Sequence, residues 1–168
     1  GKSLIKCHMA ANHLMYGKNV LYITMEMAEE EIGRRIDANI MDITMDEVNE
    51  IPRDVYDKRL ARYKTKTTGK LIIKEYPTGS VHSGHFRHLL NELEMKKNFK
   101  PDVIFLDYLN ICASSRVRGA AAASSYNLVK SIAEEVRGLA MEYNCAVVTS
   151  SQFNRDGYGN SDVDLTNT

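Results

Sequence analysis

Gly1-Lys2-Ser3, Glu26, Asp107 and Gln152 are the residues whose types and settings could carry chemistry. Gly1-Lys2-Ser3 reproduces the end of the pattern G-x-x-x-x-G-K-[ST], and a helical pattern follows at once. In such a loop, backbone N–H groups and a helix N-terminus cradle phosphates. The lysine reaches the β- and γ-phosphates and the hydroxyl binds magnesium. The tripeptide alone is equally the start of an ordinary helix. Glu26, Asp107 and Gln152 each lie just beyond an apolar run: NVLYITM, VIFL and CAVVT respectively. One strand-end polar residue is commonly a turn cap. Three of them, on parallel strands, would share one sheet edge, where open α/β sheets place their ligands. Hydrolysis of a nucleoside triphosphate asks for that set. A hydroxyl and a carboxylate hold magnesium, a glutamate polarises the attacking water, and an amide orients or senses the γ-phosphate.

Other clusters carry less. Arg116 and Arg118, in a Gly-flanked loop, could contact phosphates, although two charges are few for a nucleic-acid backbone. His82, His85 and His88 are spaced for a helix face, but no cysteine or acidic partner stands beside them, and structural zinc wants four ligands. Glu29-Glu30-Glu31 suits the positive end of a helix macrodipole. The basic stretch from Arg53 to Lys70 is interrupted by Asp and Tyr and reads as a solvated helix. Cys7, Cys112 and Cys145 are far apart, odd in number and in or beside apolar stretches, so they read as reduced core residues.

The elements that must position these residues follow from periodicity. A helix is expected from Gly1-Lys2-Ser3 to a stop at Gly17, with Leu4, Met9, Ala11, Leu14 and Met15 near helical spacing. A strand runs from Asn19 to Met25, and a helix from Met27 to about Met41. Helical character continues from Ile43 to Thr68, with a turn near Met45 to Val48, Pro52 at a helix start and Gly69 at the end. Leu71 to Tyr76 is a strand. Ser83 is expected to cap a helix carrying Phe86, Leu89, Leu90 and Leu93. The run Val103 to Leu106, opened by Pro101, is too short for a helix and reads as a strand buried on both faces. A helix capped by Ser124 or Ser125 presents Leu128, Val129, Ile132, Val136 and Leu139, and Cys145 to Thr149 is the last strand. The segment from Asp156 is rich in Gly, Asn, Asp and Ser, hence a loop or disordered. Helices alternating with short hydrophobic strands predict an α/β fold, a mainly parallel sheet with helices on both faces.

Bulk composition bounds rather than selects. The 168 residues suffice for one domain with a real core. Lys plus Arg and Asp plus Glu are 22 each, so net charge argues neither for nor against nucleic acid. No apolar run approaches the ~18 residues of a membrane span, and no basic-then-apolar leader opens the chain.

Four motifs resemble those of the DnaB-like replicative helicases, a branch of the RecA-like ATPases, and most nearly the T-even phage type. They are Gly1-Lys2-Ser3; Ile23-Thr24-Met25-Glu26-Met27 with Arg35; Ile104-Phe105-Leu106-Asp107-Tyr108-Leu109; and Ser150-Ser151-Gln152-Phe153-Asn154-Arg155. The last three are much narrower than a generic phosphate loop. The resemblance implies one RecA-like P-loop NTPase domain over residues 1–168, with the strand before the P-loop and the arginine-finger region outside this sequence. It implies ATP and Mg2+ as cofactors, with Gly1, Lys2, Ser3 and Asp107 binding nucleotide, and Ser3 and Asp107 serving the metal. Glu26 would be the general base and Gln152 the γ-phosphate sensor that couples to DNA. Arg116, Arg118 and Arg155 lie in stretches that match the family's DNA-contacting loops. Implied partners are single-stranded DNA, further copies in a homo-hexamer, a primase and a loader, in the cytoplasm of a bacterial or phage-infected cell. A RecA-like recombinase forming a filament shares the same catalytic logic. A non-catalytic DNA-binding assembly module, or an unrelated α/β protein with a chance Gly-Lys-Ser, are the other readings.

Overall fold

Every apolar run expected to be a strand is one in the computed structural model, which describes residues 1–66, 69–117 and 125–152. The strands are β1 (Val20–Thr24), β2 (Leu71–Glu75), β3 (Val103–Asp107) and β4 (Ala146–Thr149). All pair in parallel, in the order β2-β1-β3-β4. The helices are α1 (Lys2–Met15), α2 (Glu29–Met41), α3 (Met45–Glu50), α4 (Arg53–Lys64), α5 (Ser83–Lys97) and α6 (Ser125–Glu142). A 3-10 turn, Leu109–Ile111, follows β3.

Side chains alternate across a strand, so β1 and β3 feed two cores at once. Val20, Tyr22, Val103 and Phe105 pack with Cys7, Ala10, Ala11 and Leu14 of α1 and with Ile32 and Ile36 of α2. Leu21, Ile23, Ile104 and Leu106 pack on the other face with Phe86, Leu90 and Leu93 of α5 and Ile132, Val136 and Leu139 of α6. All five residues of β1 and of β3 are buried, whereas β2 and β4 are partly open. Each fully buried Leu, Ile, Val or Phe is worth about 1.5–3 kcal/mol against exposure, so these central strands supply much of the driving force. From β1 the chain leaves toward β2, and from β3 it leaves toward β4, on the opposite side. The switch point of the sheet therefore lies between the carboxyl ends of β1 and β3.

Several boundaries differ from the sequence reading. Ser83 is not the cap of α5: His82 is, its Nδ1 accepting from the Gly84 N–H at 3.0 Å while its own N–H donates to His85 Nδ1. Those two histidines thus serve a helix start, and no group of three or more His, Cys, Asp or Glu among the described residues could hold a metal ion. Gly69 does not end α4, which stops at Lys64. A Cβ at Gly69 would stand 2.4 Å from the Lys18 carbonyl oxygen, so glycine is required there by a close backbone approach. No residue of α4 is buried, and the i,i+4 pairs Arg53–Asp57 and Lys58–Asp54 line its open surface, as expected of a solvated helix. Cys7 and Cys112 are buried, Cys145 is half-buried, and all three are free; burial pushes the Cys112 thiol up to about 12.

Glu135 of α6 is a buried carboxylate satisfied by hydroxyl and backbone donors. It accepts hydrogen bonds from the hydroxyls of Ser83, Ser114 and Ser115, each at 2.6 Å, and from the Ser115 N–H at 3.0 Å. Burial opposes its charge, but these donors outweigh burial and hold the carboxyl down to about 2, from 4.5. A depressed carboxyl stabilises the fold at pH values above its unfolded pKa, and the contribution fades as pH falls from 4.5 toward 2. Glu135→Gln is expected to cost roughly 2–3 kcal/mol at neutral pH and to flatten this acid decline. Urea denaturation across that pH window reads both effects; a parallel decline in parent and variant would contradict them.

Candidate active site

The carboxylate of Asp107 ends β3, beside the switch point and in register with Thr24 of β1. It is only 1% exposed, and a buried charge must be paired and hydrogen-bonded. Its partner is Lys6 of α1, itself 3% exposed, whose Nζ donates to Asp107 Oδ1 and to Ser150 Oγ, the latter at 2.6 Å. Tyr22 donates its phenolic O–H to Asp107 Oδ2 at 3.0 Å. The buried stripe of α1 is Lys6, Cys7, Ala10, Ala11 and Leu14, whose two alanines let the helix lie close on the sheet. That approach brings the Lys6 ammonium to the strand ends. Burial pulls the Lys6 pKa down while Asp107 pulls it back; burial likewise pushes the Tyr22 hydroxyl up, so it stays a donor.

Gly1 is the N-cap of α1, and the first turn holds no acidic residue, which leaves the positive helix end uncompensated by side chains. Lys2 extends over the Tyr108 ring, its Nζ 4.8 Å from the centroid. Lys2 and Tyr108 thus meet at the same sheet edge as Asp107. Glu26 sits in a turn leaving β1, closed by a Thr24 Oγ1–Met27 carbonyl bond at 2.9 Å and the return bond from Met27 N–H at 3.1 Å. The preceding Met25 N–H donates to the Asp107 carbonyl oxygen at 3.1 Å, so the turn is fastened beside β3 while the Glu26 side chain stays exposed.

Gln152, also exposed, leaves β4 on the neighbouring position. Its N–H donates to Asn110 Oδ1 at 3.2 Å and its carbonyl accepts from Asn110 Nδ2 at 3.4 Å. The carboxyl ends of β1, β3 and β4 therefore carry Glu26, Asp107 and Gln152 along one edge, with the start of α1 against it. Arg116 is exposed in the loop after the 3-10 turn, 3.7 Å from Glu134. Arg118, the run Ala120 to Ala123 and Arg155 lie outside the described residues.

Lys6, Tyr22 and Asn110 are not singled out by the sequence, and Ser150 enters there only as part of a motif, with no role of its own. The signal for Lys6 was present: it falls on the apolar stripe of α1, next to Cys7 and one turn past Ser3, where a lysine needs a partner. Tyr22 sits in a strand that alternates between two cores, and nothing local marks its hydroxyl.

Magnesium prefers hard oxygen donors and keeps several waters. The Ser3 hydroxyl and Asp107 carboxylate are such donors. Both Asp107 oxygens already accept a hydrogen bond, yet each retains a second acceptor position. The donor set therefore fits an ion held by Asp107 through water; direct coordination would compete with the Lys6 ammonium.

Residues 1–163 match the family described as the DnaB-like helicase C terminal domain. The chain is 46% identical over 168 residues to a DnaB-like replicative helicase of Enterobacteria phage T4, covering 98% of this chain and 35% of the relative. It is 28% identical over 160 residues to a probable plasmid replicative DNA helicase of Chlamydia psittaci, covering 92% and 33%. The chain thus spans about a third of the length of these curated relatives. Among solved structures it is similar to a DnaB-like replicative helicase described with its primase interactions, with a TM-score of 0.70 at 16% identity, covering 95% of this chain and 38% of that one. A second solved structure, described as an ATPase domain, superposes with a TM-score of 0.68 at 14% identity, covering 95% and 56%. The fold is the RecA-like ATPase fold, and the chain belongs to the DnaB-like helicase C-terminal domain family.

Proposed function

We propose that this domain is the motor of a replicative helicase, hydrolysing ATP with magnesium to move a hexameric ring along single-stranded DNA and part the duplex. The observation that carries the reading is the buried Asp107 at the switch point, with Glu26 and Gln152 on the flanking strand ends and the Lys2 helix start beside it. Backbone N–H groups at the start of α1 receive the phosphates, and Lys2 swings from the Tyr108 face to the β- and γ-phosphates. Ser3 and Asp107 are the residues that would hold magnesium, which when bound would supply charge neutralisation at the phosphate oxygens. Glu26, exposed to solvent, takes the proton of the attacking water. Gln152 meets the γ-phosphate and carries its loss to the DNA-contacting stretches, where Arg116, Arg118 and Arg155 touch the phosphate backbone. A primase and a loader are the partners this assignment calls for.

The test uses the full-length protein: ATPase activity with and without single-stranded DNA, and unwinding of a forked duplex. We expect DNA stimulation and strand separation, and loss of ATP binding in Lys2→Ala by calorimetry. Unchanged affinity in that variant would overturn the phosphate-loop assignment. Long filaments in electron micrographs, in place of closed rings, would favour a recombinase.

A further inference from the structure

The regular pairing of β3 with β4 ends at Leu106 and Thr149, yet the two chains stay together beyond it. The Leu109 N–H donates to the Ser150 carbonyl at 3.0 Å. Asn110 then pairs with the backbone of Gln152 in both directions, accepting at 3.2 Å and donating at 3.4 Å. A side-chain amide has the donor and acceptor needed to imitate a strand partner in this way. A third tie comes from α1, because the Lys6 ammonium that holds Asp107 also donates to Ser150 Oγ at 2.6 Å.

We propose that Lys6 and Asn110 are positioning residues that clamp the segment Ser150–Gln152 to the carboxyl end of β3. Neither touches nucleotide in this role. Asn110 fixes the backbone of Gln152 while leaving its side chain free at the surface. Lys6 makes Ser150 share one ammonium with Asp107, so a displacement of the Asp107 carboxylate is transmitted to the segment that bears Gln152. The inference rests on the reading of Gln152 as the residue that couples hydrolysis to DNA, and it names the groups that hold it in place.

Two substitutions in the full-length protein cut these side-chain ties and leave both members of the Lys6–Asp107 pair in place. Ser150→Ala removes the hydroxyl tie, and Asn110→Ala removes both bonds to Gln152. Basal ATP turnover and ATP affinity are expected to persist, while the ratio of DNA-stimulated to basal turnover falls at least about fivefold, a typical coupling between sites. Asn110→Asp keeps the acceptor for the Gln152 N–H and loses the donor, so it should fall between parent and Asn110→Ala. Melting temperatures are measured alongside. If a variant lowers melting temperature and basal turnover but keeps the stimulation ratio, the residue is merely structural and the clamp is overturned. An unchanged ratio with unchanged stability overturns it equally. If the parent itself shows no DNA stimulation, the helicase reading fails first, and the clamp falls with it.

Discussion

Glu26→Gln in the full-length protein is expected to lower ATP turnover by a factor of about 10²–10⁴, the usual share of a positioned general base. The amide keeps the size of the side chain and cannot take a proton from water. Glu26 is exposed and its turn is held by Thr24 and by the Met25–Asp107 backbone bond, none of which the substitution touches. Melting temperature and ATP affinity should therefore match the parent. Single-turnover hydrolysis beside equilibrium nucleotide binding separates the two quantities. Turnover at the parent rate would remove Glu26 from the role proposed for it.

Asp107→Ala is expected to damage fold and chemistry together. The substitution leaves the Lys6 ammonium buried without a counter-charge, and breaking a buried pair from one side costs about 3–5 kcal/mol. Tyr22 also loses the acceptor of its hydroxyl. A double variant distinguishes the two roles. Replacing the pair together, with Asp107→Leu and Lys6→Met, removes the orphaned charge and should recover most of the lost stability, because apolar side chains of similar volume can substitute for a buried ion pair. ATP turnover should be absent in the single and the double variant alike, since both lack the Asp107 carboxylate proposed to serve the metal. Urea denaturation of the single and double variants, with ATPase assays on each, reads both arms. A double variant no more stable than Asp107→Ala would show that the pair is not the source of the loss.

The sheet and its site edge were legible because β1 and β3 are continuous apolar runs, as strands buried on both faces must be, and each ends at a polar residue. The placement of Glu26, Asp107 and Gln152 on neighbouring strand ends follows from that pattern and from parallel connection. What local pattern could not supply were the partners across the fold. Lys6 lies 101 residues from Asp107 and 144 from Ser150, and only the approach of α1 to the sheet brings them together. The same holds for Glu135, whose serine donors come from α5 and from the loop after β3. Ser83, expected as a cap, was drawn to that carboxylate, and His82 took the cap: a long-range charge outcompeted a local turn preference.

The register of β1 against β3, Val20 on Val103 through Thr24 on Asp107, carries a consequence for how such a domain can change over evolutionary time. Odd and even residues of both strands serve different cores, so exchanging one apolar residue for another disturbs one core locally. Inserting or deleting a residue within β1 would turn Leu21 and Ile23 toward α1 and Tyr22 toward α5, inverting both cores and breaking the register of Thr24 with Asp107. Inside the central strands, substitution is therefore the kind of change the fold can tolerate. A change of length is better tolerated in a solvated connection such as α4, between β1 and β2, none of whose residues is buried.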